Sequence, residues 1–301
     1  MPLPDKPPPR LPGQVIAAHG RHYRVELADG EQLACFPRGK KSLVACGDRV
    51  SVLRTGADQG VIEAVDPRRS LLYRSDLHRE KLIAANVTQM VIVLAAVPAF
   101  YEELLVRCLV AVEHQRIRAL IVLNKFDLLE QSERALGMLE PYRALGYPVL
   151  TLAAKRDVAP LRPLLRGHTS VLVGQSGMSK STIINALLPE AAAAVGDISI
   201  ALDSGRHTTT HAQLYRLDAD SALIDSPGLQ AFGLRHVPVR ELDHAFVEFR
   251  PLLGQCRFND CLHRGEPGCA IAEACARGAI EAQRLRIYRS LVEEGQRASA
   301  W

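Results

Sequence analysis

A multidomain α/β fold is what this 301-residue chain predicts: a small β-barrel first, then a mostly parallel sheet with crossover helices, then a short helical segment built round a cysteine-rich loop. Three observations predict it. Between residues 14 and 65 short β-type runs alternate with Asp-Gly and Gly-Asp turn signals. From residue 86 apolar strand-like runs alternate with amphipathic helical ones, and four of the seven cysteines fall beyond residue 255. The length exceeds one typical domain, so more than one apolar core is expected.

Residues 1–12 read as a disordered tail, because Pro7, Pro8 and Pro9 remove amide donors and favour extended backbone. Structure is expected from about Gly13, and the barrel is assigned to residues 13–82. Its strand signals are Val15-Ile16-Ala17, Tyr23 to Leu27, Arg49 to Leu53 and Gly60-Val61-Ile62. A basic loop, Arg38-Gly39-Lys40-Lys41, sits between strands, as in an oligonucleotide-binding (OB) barrel whose loops track phosphates; a charged surface turn is the other reading. Residues 1–82 carry 14 basic and 10 acidic side chains and the remainder 23 of each, so the whole net charge of +4 sits in the first quarter. That permits an anionic partner such as RNA without requiring one.

The parallel sheet is assigned to residues 83–234. Strands are expected at 90–96, 119–123, 149–153 and 170–173, with helices at 104–114 and 132–145. In such sheets ligands gather at the carboxyl ends of the strands. Two motifs stand there. Gly174-Gln175-Ser176-Gly177-Met178-Ser179-Lys180-Ser181, continued by Thr182, has the glycines, lysine and hydroxyl of a loop that cradles phosphates and Mg²⁺ at a helix start. Ser179 departs from the glycine expected there: near-helical backbone tolerates it, whereas positive φ would cost affinity. Asn124-Lys125-Phe126-Asp127 follows the strand at 119–123, and the Asp127 carboxylate can accept from both N1–H and the exocyclic amine of guanine, a pair adenine lacks. Ala153-Ala154-Lys155 would offer a backbone donor to the guanine oxygen through Ala154.

The base reader precedes the phosphate loop, the reverse of the usual order, so the chain reads as a circularly permuted P-loop GTPase. Asp225-Ser226-Pro227-Gly228 supplies a carboxylate for Mg²⁺, shared with Ser181, and a Gly228 N–H for the γ-phosphate. Leu229 stands where many GTPases orient water with Gln, and Gln230 comes one residue late. His207, within Gly205-Arg206-His207-Thr208-Thr209-Thr210, is the substitute as catalytic residue, or else contacts RNA or solvent. Arg206 is a candidate for charge stabilisation, and one switch threonine for Mg²⁺. Permutation sends this switch region straight into the C-terminal segment, wiring hydrolysis to it.

Residues 235–301 are assigned to that segment. Cys256, Cys261, His263 and Cys269 give three thiolates and an imidazole, a closed tetrahedral set for structural Zn²⁺, against reduced free thiols or a redox pair. Cys275 reads as a buried small residue, and Cys35, Cys46 and Cys108 as core. Leu242, Phe246 and Phe249 are expected to share one helix face, and Ile280, Ile287 and Leu291 another, with Arg284, Arg286 and Arg289 facing RNA or solvent. The cysteine spacing is unlike a secreted disulfide framework, no signal-peptide pattern opens the chain, and the longest apolar run, 90–97, is too short to span a bilayer. A cytoplasmic, monomeric protein is expected.

On these residues the chain resembles the ribosome small subunit-dependent GTPase A family: the basic loop 38–41, the tetrapeptide 124–127, the loop 174–181, the switch 205–210, Asp225 to Gly228 and the zinc run 256–269 match in order. The resemblance implies an N-terminal OB barrel, a permuted GTPase core and a zinc-bearing helical domain. It implies binding to the small ribosomal subunit and its rRNA, late maturation of that subunit, hydrolysis stimulated by it, departure with GDP, and His207 as the catalytic candidate. Ala153 departs from the serine usual in that family. Two other readings stay open: an RNA-binding assembly checkpoint that holds nucleotide with little hydrolysis, and a P-loop ATPase or nucleotide kinase, which the Asn-Lys-x-Asp motif opposes.

Overall fold

The computed structural model describes residues 9–39, 43–75, 80–189, 212–225, 234 and 236–299. Five strands, β1 (Arg10–His19), β2 (His22–Leu27), β3 (Gln32–Pro37), β4 (Arg49–Arg54) and β5 (Gln59–Val65), close a barrel in the order β1-β2-β3-β5-β4-β1. Only β3 and β5 run parallel. Alternating side chains point inward, so Val15, Val25, Leu33, Val50, Val52 and Ile62 form a small core of their own. This is the OB arrangement expected.

β1 begins three residues earlier than the proline content suggests. Pro12 lies opposite Ser51 of β4, at a level where pairing with β2 has not yet started at Gly13, so the missing amide leaves no ladder bond unmade on that side. β3 has no counterpart among the strand signals read from sequence.

A hairpin of β6 (Leu71–Ser75) and β7 (Glu80–Ala85) follows the barrel. Its buried Leu72, Ile83 and Ala84 belong to the larger core rather than to the barrel's. β8 (Gln89–Ala95), α1 (Glu102–Gln115), β9 (Arg118–Asn124), α2 (Leu129–Gly137), α3 (Glu140–Ala144), β10 (Val149–Thr151), α4 (Arg162–Leu165), β11 (Thr169–Val173) and α5 (Lys180–Leu187) then alternate strand and helix. β12 (Ala212–Arg216) and β13 (Ala222–Asp225) complete the sheet, ordered β10-β9-β8-β11-β13-β12. The first five are mutually parallel, and β12 is antiparallel to β13. Every residue of β8 is buried, which is why it reads as an unbroken apolar run. The single helix expected over 132–145 is two, because Met138 and Leu139 end the first and Pro141 opens the second, where its lost amide does no harm.

Barrel and parallel sheet are one continuous sheet. The N-terminal half of β1 pairs with β4; beyond a bulge between Val15 and Ala17 the strand leaves β4 and pairs with β12 through Ala17↔Gln213 and Ala18↔Ala212. The C-terminal segment has α6 (Ala270–Ala276) and α7 (Ala282–Ser299). Leu242, Phe246 and Phe249 are buried as expected, but they sit in successive 3₁₀ turns and their flanks, not on one α-helix.

Candidate nucleotide site and metal centre

β9 ends at Asn124 and β11 at Val173, and both flank β8 in parallel register, Asn124 opposite Ala95 and Val173 opposite Ile92. The loops that follow therefore leave from the same edge. Asn124 joins them. Its Nδ2 donates to Met178 O in the phosphate loop at 3.0 Å, and its Oδ1 accepts from Ala154 N in the guanine-side loop at 3.0 Å. The side chain is 1% exposed, so both bonds are made in a water-poor environment where leaving either partner unpaired is costly.

Lys125 has left-handed backbone, φ 59°, and its Nζ donates to Val97 O at 2.6 Å. Phe126 is half-buried against the core and its N–H donates to Leu152 O at 3.0 Å, fixing the turn on β10. Asp127, half-exposed, takes no side-chain partner among the described residues, which leaves its carboxylate for a ligand.

Two glycines of the phosphate loop hold positive φ against close neighbours. At Gly174, φ 150°, an added Cβ would lie 2.2 Å from Val93 O; at Gly177, φ 82°, it would press on Pro98 Cγ at 3.1 Å. Gln175 turns its side chain away from the loop, its Oε1 accepting from Tyr101 N at 2.8 Å ahead of α1, so its main chain is what remains for a phosphate. Ser176 is exposed and Met178 fully buried. Ser179 has φ 65° and ψ 37°, caps α5 without a side-chain hydrogen bond, and so takes the unfavourable of the two conformations considered for it. Behind it α5 buries Ile183, Ile184 and Leu187, leaves Ser181 exposed at its first turn and half-covers Thr182.

Lys180 Nζ closes the loop on itself, donating to Gly174 O at 2.6 Å and Gln175 O at 2.8 Å. Burial lowers its pKa, opposed by Asp225, while burial raises that of Asp225, opposed by Lys180. Asp225 sits beside Leu172 on the neighbouring strand, so cation and anion face a common space at the loop's mouth. Ser181 and Asp225 supply the hydroxyl and carboxylate oxygens that suit Mg²⁺. His207, the rest of 205–210, and Gly228, Leu229 and Gln230 lie outside the described residues, as do Lys40 and Lys41. Arg38 pairs with Glu63 at 2.6 Å on the barrel surface.

The four zinc candidates converge, with ligand atoms all within 4.8 Å of one another. His263 Nδ1 lies 3.5 Å from Cys256 Sγ, 3.6 Å from Cys261 Sγ and 3.4 Å from Cys269 Sγ, and Cys256 and Cys269 are 4.0 Å apart. Those edges suit a tetrahedron round a metal at about 2.0–2.3 Å from each atom. Asp243 Oδ2 lies 3.8 Å from His263 Nε2, beyond hydrogen-bond distance, and is the nearest carboxylate on the side of the ring away from the thiols; Nε2 itself is buried without a hydrogen-bond partner among the described residues. Sequence spacing gave no hint of Asp243, which comes from a turn 20 residues upstream.

Two expectations for this segment fail, those for Arg284 and Cys275. Arg284 is 2% exposed, ion-paired with Glu248 and stacked over Tyr142 and Phe246 at 5.3 and 4.9 Å, so it faces neither RNA nor solvent. Arg289 is half-buried, its Nε donating to His263 O at 2.9 Å; Arg286 is exposed. Cys275 is half-buried rather than enclosed. Cys35, Cys46 and Cys108 are core as expected. The segment docks on α1, where Arg250 meets Glu113 at 2.6 Å and Arg107 meets Glu294.

A barrel, a parallel sheet with its base reader ahead of its phosphate loop, and a Cys₃His cluster behind it define a circularly permuted P-loop GTPase. The family model described as RsgA GTPase matches residues 65–235. A small ribosomal subunit biogenesis GTPase RsgA from Nitrosospira multiformis is 56% identical over 284 residues, 94% of this chain and 91% of that one. Among solved structures, YjeQ from Thermotoga maritima superposes with TM-score 0.72 at 30% identity, covering 96% of this chain and 99% of that one. YloQ, described as a circularly permuted GTPase, superposes with TM-score 0.71 at 26% identity and 98% coverage of both. The chain belongs to the RsgA GTPase family.

Proposed function

We propose that this protein is a Mg²⁺-dependent GTP hydrolase that binds the small ribosomal subunit and couples hydrolysis to late maturation of that subunit. The observation that carries the reading is the bridge through Asn124, which joins the phosphate loop at Met178 to the guanine-side loop at Ala154. In this reading Asp127 selects guanine, the stem of Lys125 packs along the base and the Ala154 region faces the purine oxygen. Main-chain N–H groups from Gly174 to Ser181, with Lys180, hold the phosphates, joined by the Gly228 N–H. Mg²⁺, held by Ser181 and Asp225, supplies charge neutralisation of the β- and γ-phosphate oxygens when bound. Lys180 exchanges its two carbonyl partners for phosphate oxygens. Attack by water is then assisted by positioning and charge, with His207 as its orienting residue.

In this division the barrel unit that contacts rRNA takes in β1 from Arg10 and runs to residue 82, 83–234 is the permuted GTPase unit and 235–301 the zinc unit; the β6–β7 hairpin bridges the barrel and GTPase units. The zinc cluster ties a loop with little core of its own, and α1 links that loop to the nucleotide site. Among the described residues no helix is long and apolar enough to cross a membrane. A cytoplasmic monomer that leaves the subunit in its GDP state fits this role, and the relatives' naming for small-subunit biogenesis supports it.

The left-handed backbone of Ser179 favours a second reading, a checkpoint that holds nucleotide but barely hydrolyses it. Phosphate release with and without purified small subunits, using GTP and ATP side by side, separates them. Subunit-stimulated release from GTP alone, abolished by His207→Ala, is the outcome expected. Release indifferent to competent subunits would overturn the coupling, and effective ATP turnover would overturn the guanine assignment.

A further inference from the structure

The opposite edge of the parallel sheet, where the strands begin, carries cations that nucleotide chemistry leaves unused. Register sets Arg118 of β9 beside Gln89 of β8, and Gln89 beside Ser170 of β11, so these strands start level. Round that edge stand Arg69 ahead of β6, Arg116 at the left-handed end of α1, Arg118, Arg166 and His168. Backbone ties hold the segments together: Arg69 N donates to Asn86 Oδ1 at 3.0 Å, Leu71 N to Gln115 Oε1 at 2.9 Å, Arg118 N to Thr88 O at 3.0 Å and Gly167 N to Ser221 Oγ at 2.9 Å.

The four arginines are exposed, and none has a carboxylate in ion-pair range among the described residues. Elsewhere on the molecule Arg38, Arg107, Arg216 and Arg250 each hold a glutamate. Asp218 acts on Arg166 only at a distance and is hydrogen-bonded within its own turn at Ser221.

Arg118 has a different brace. Its Nη1 lies 2.9 Å from His168 Nε2, and a guanidinium only donates, so Nε2 accepts and the imidazole is neutral. The ring proton is then on Nδ1, 3.1 Å from Thr88 Oγ1. Burial, and then the Arg118 charge, hold the His168 pKa below its ordinary value, in keeping with that tautomer. A neutral acceptor orients the guanidinium without neutralising it, which a structural ion pair would do.

We infer that this edge is a second polyanion-binding surface, on which Arg69, Arg116, Arg118 and Arg166 take the phosphodiester backbone of RNA while His168 positions Arg118. The inference rests on the ribosomal subunit being the partner. Protein interfaces centre on apolar side chains, whereas cations spread over a linker, a helix end and strand starts suit a phosphate backbone. β9 has seven residues, so the edge lies roughly 20 Å from the nucleotide loops at the strand's other end.

The test is binding of purified small subunits and of protein-free rRNA to the full chain across a salt series. Arg116→Gln/Arg118→Gln should weaken both roughly tenfold and reduce the log–log salt slope by about 2, with GDP affinity unchanged. Arg116→Lys/Arg118→Lys, which keeps the charge, should retain most of the affinity, and Arg166→Gln alone should lower the slope by about 1. Wild-type and glutamine variants with equal affinity and equal slope would overturn the proposal. Loss on subunits but not on free rRNA would mark an acidic protein as the occupant and overturn the RNA assignment. A wild-type protein that binds neither would bring down the partner reading, and this one with it.

Discussion

At the scale of single residues, Ser179 and Asn124 show how differently two polar side chains in one site are held. Asn124 satisfies a donor and an acceptor in two loops and is enclosed, so its replacement strands buried groups on both sides. Ser179 makes no cap bond and occupies backbone that suits glycine. Ser179→Gly should therefore stabilise the nucleotide-free protein by about 1 kcal/mol, measured by urea unfolding, with nucleotide affinity unchanged or higher. A destabilised variant would mean that the serine side chain contributes more than its backbone costs.

Among elements, the packing of the C-terminal segment makes two predictions. Arg284 and Glu248 form a buried pair, and removing one partner of such a pair costs about 3–5 kcal/mol. Arg284→Ala should lose that much, whereas Arg286→Ala, two residues further along the same helix and exposed, should change stability by less than about 0.5 kcal/mol; thermal and urea unfolding check both. The second concerns His236, whose ring lies 4.5 Å from Tyr73 of β6 and 5.8 Å from His114 of α1, with His114 in turn 3.6 Å from Glu241. Burial, and then the neighbouring His114, hold its pKa down to about 4. Between that value and the unfolded value near 6.5 the unfolded chain binds more protons, so the stability is present above about pH 6.5 and is lost as pH falls toward 4. Discounted for partial exposure, the wild type should lose about 1–2 kcal/mol between about pH 7 and pH 5 that His236→Phe does not lose. Parallel profiles for the two proteins would contradict the assignment.

At the scale of the whole molecule, what could be read in the sequence was what chemistry confines to contiguous residues. Phosphate cradling, base reading and metal ligation each need fixed short spacings, so residues 124–127, 174–181 and 256–269 could be proposed for those roles from sequence alone, and β8 could be read from an unbroken apolar run. What could not be read depends on distant partners. β3, the β6–β7 hairpin and the β1–β12 join have meaning only once strands far apart in sequence are paired. Arg284 looks like a surface cation until Glu248 is placed beside it, and Asp243 looks unrelated to zinc until His263 turns toward it. The basic edge was hidden in another way: charges beyond residue 82 balance in number, and only folding segregates Arg116, Arg118 and Arg166 from the acids and brings Arg69 of the first quarter to the same edge.

The central claim is that two loops in reversed sequence order build one guanine-reading pocket, and exchanging the base reader's chemistry tests it. Asp127→Asn replaces an acceptor pair by an amide whose N–H₂ suits xanthine, which carries an oxygen where guanine carries its exocyclic amine. Equilibrium binding of GDP and xanthosine diphosphate to both proteins should show wild type preferring GDP and the variant preferring the xanthosine nucleotide, with phosphate-loop contacts unchanged. A variant that binds GDP as tightly as wild type would contradict it.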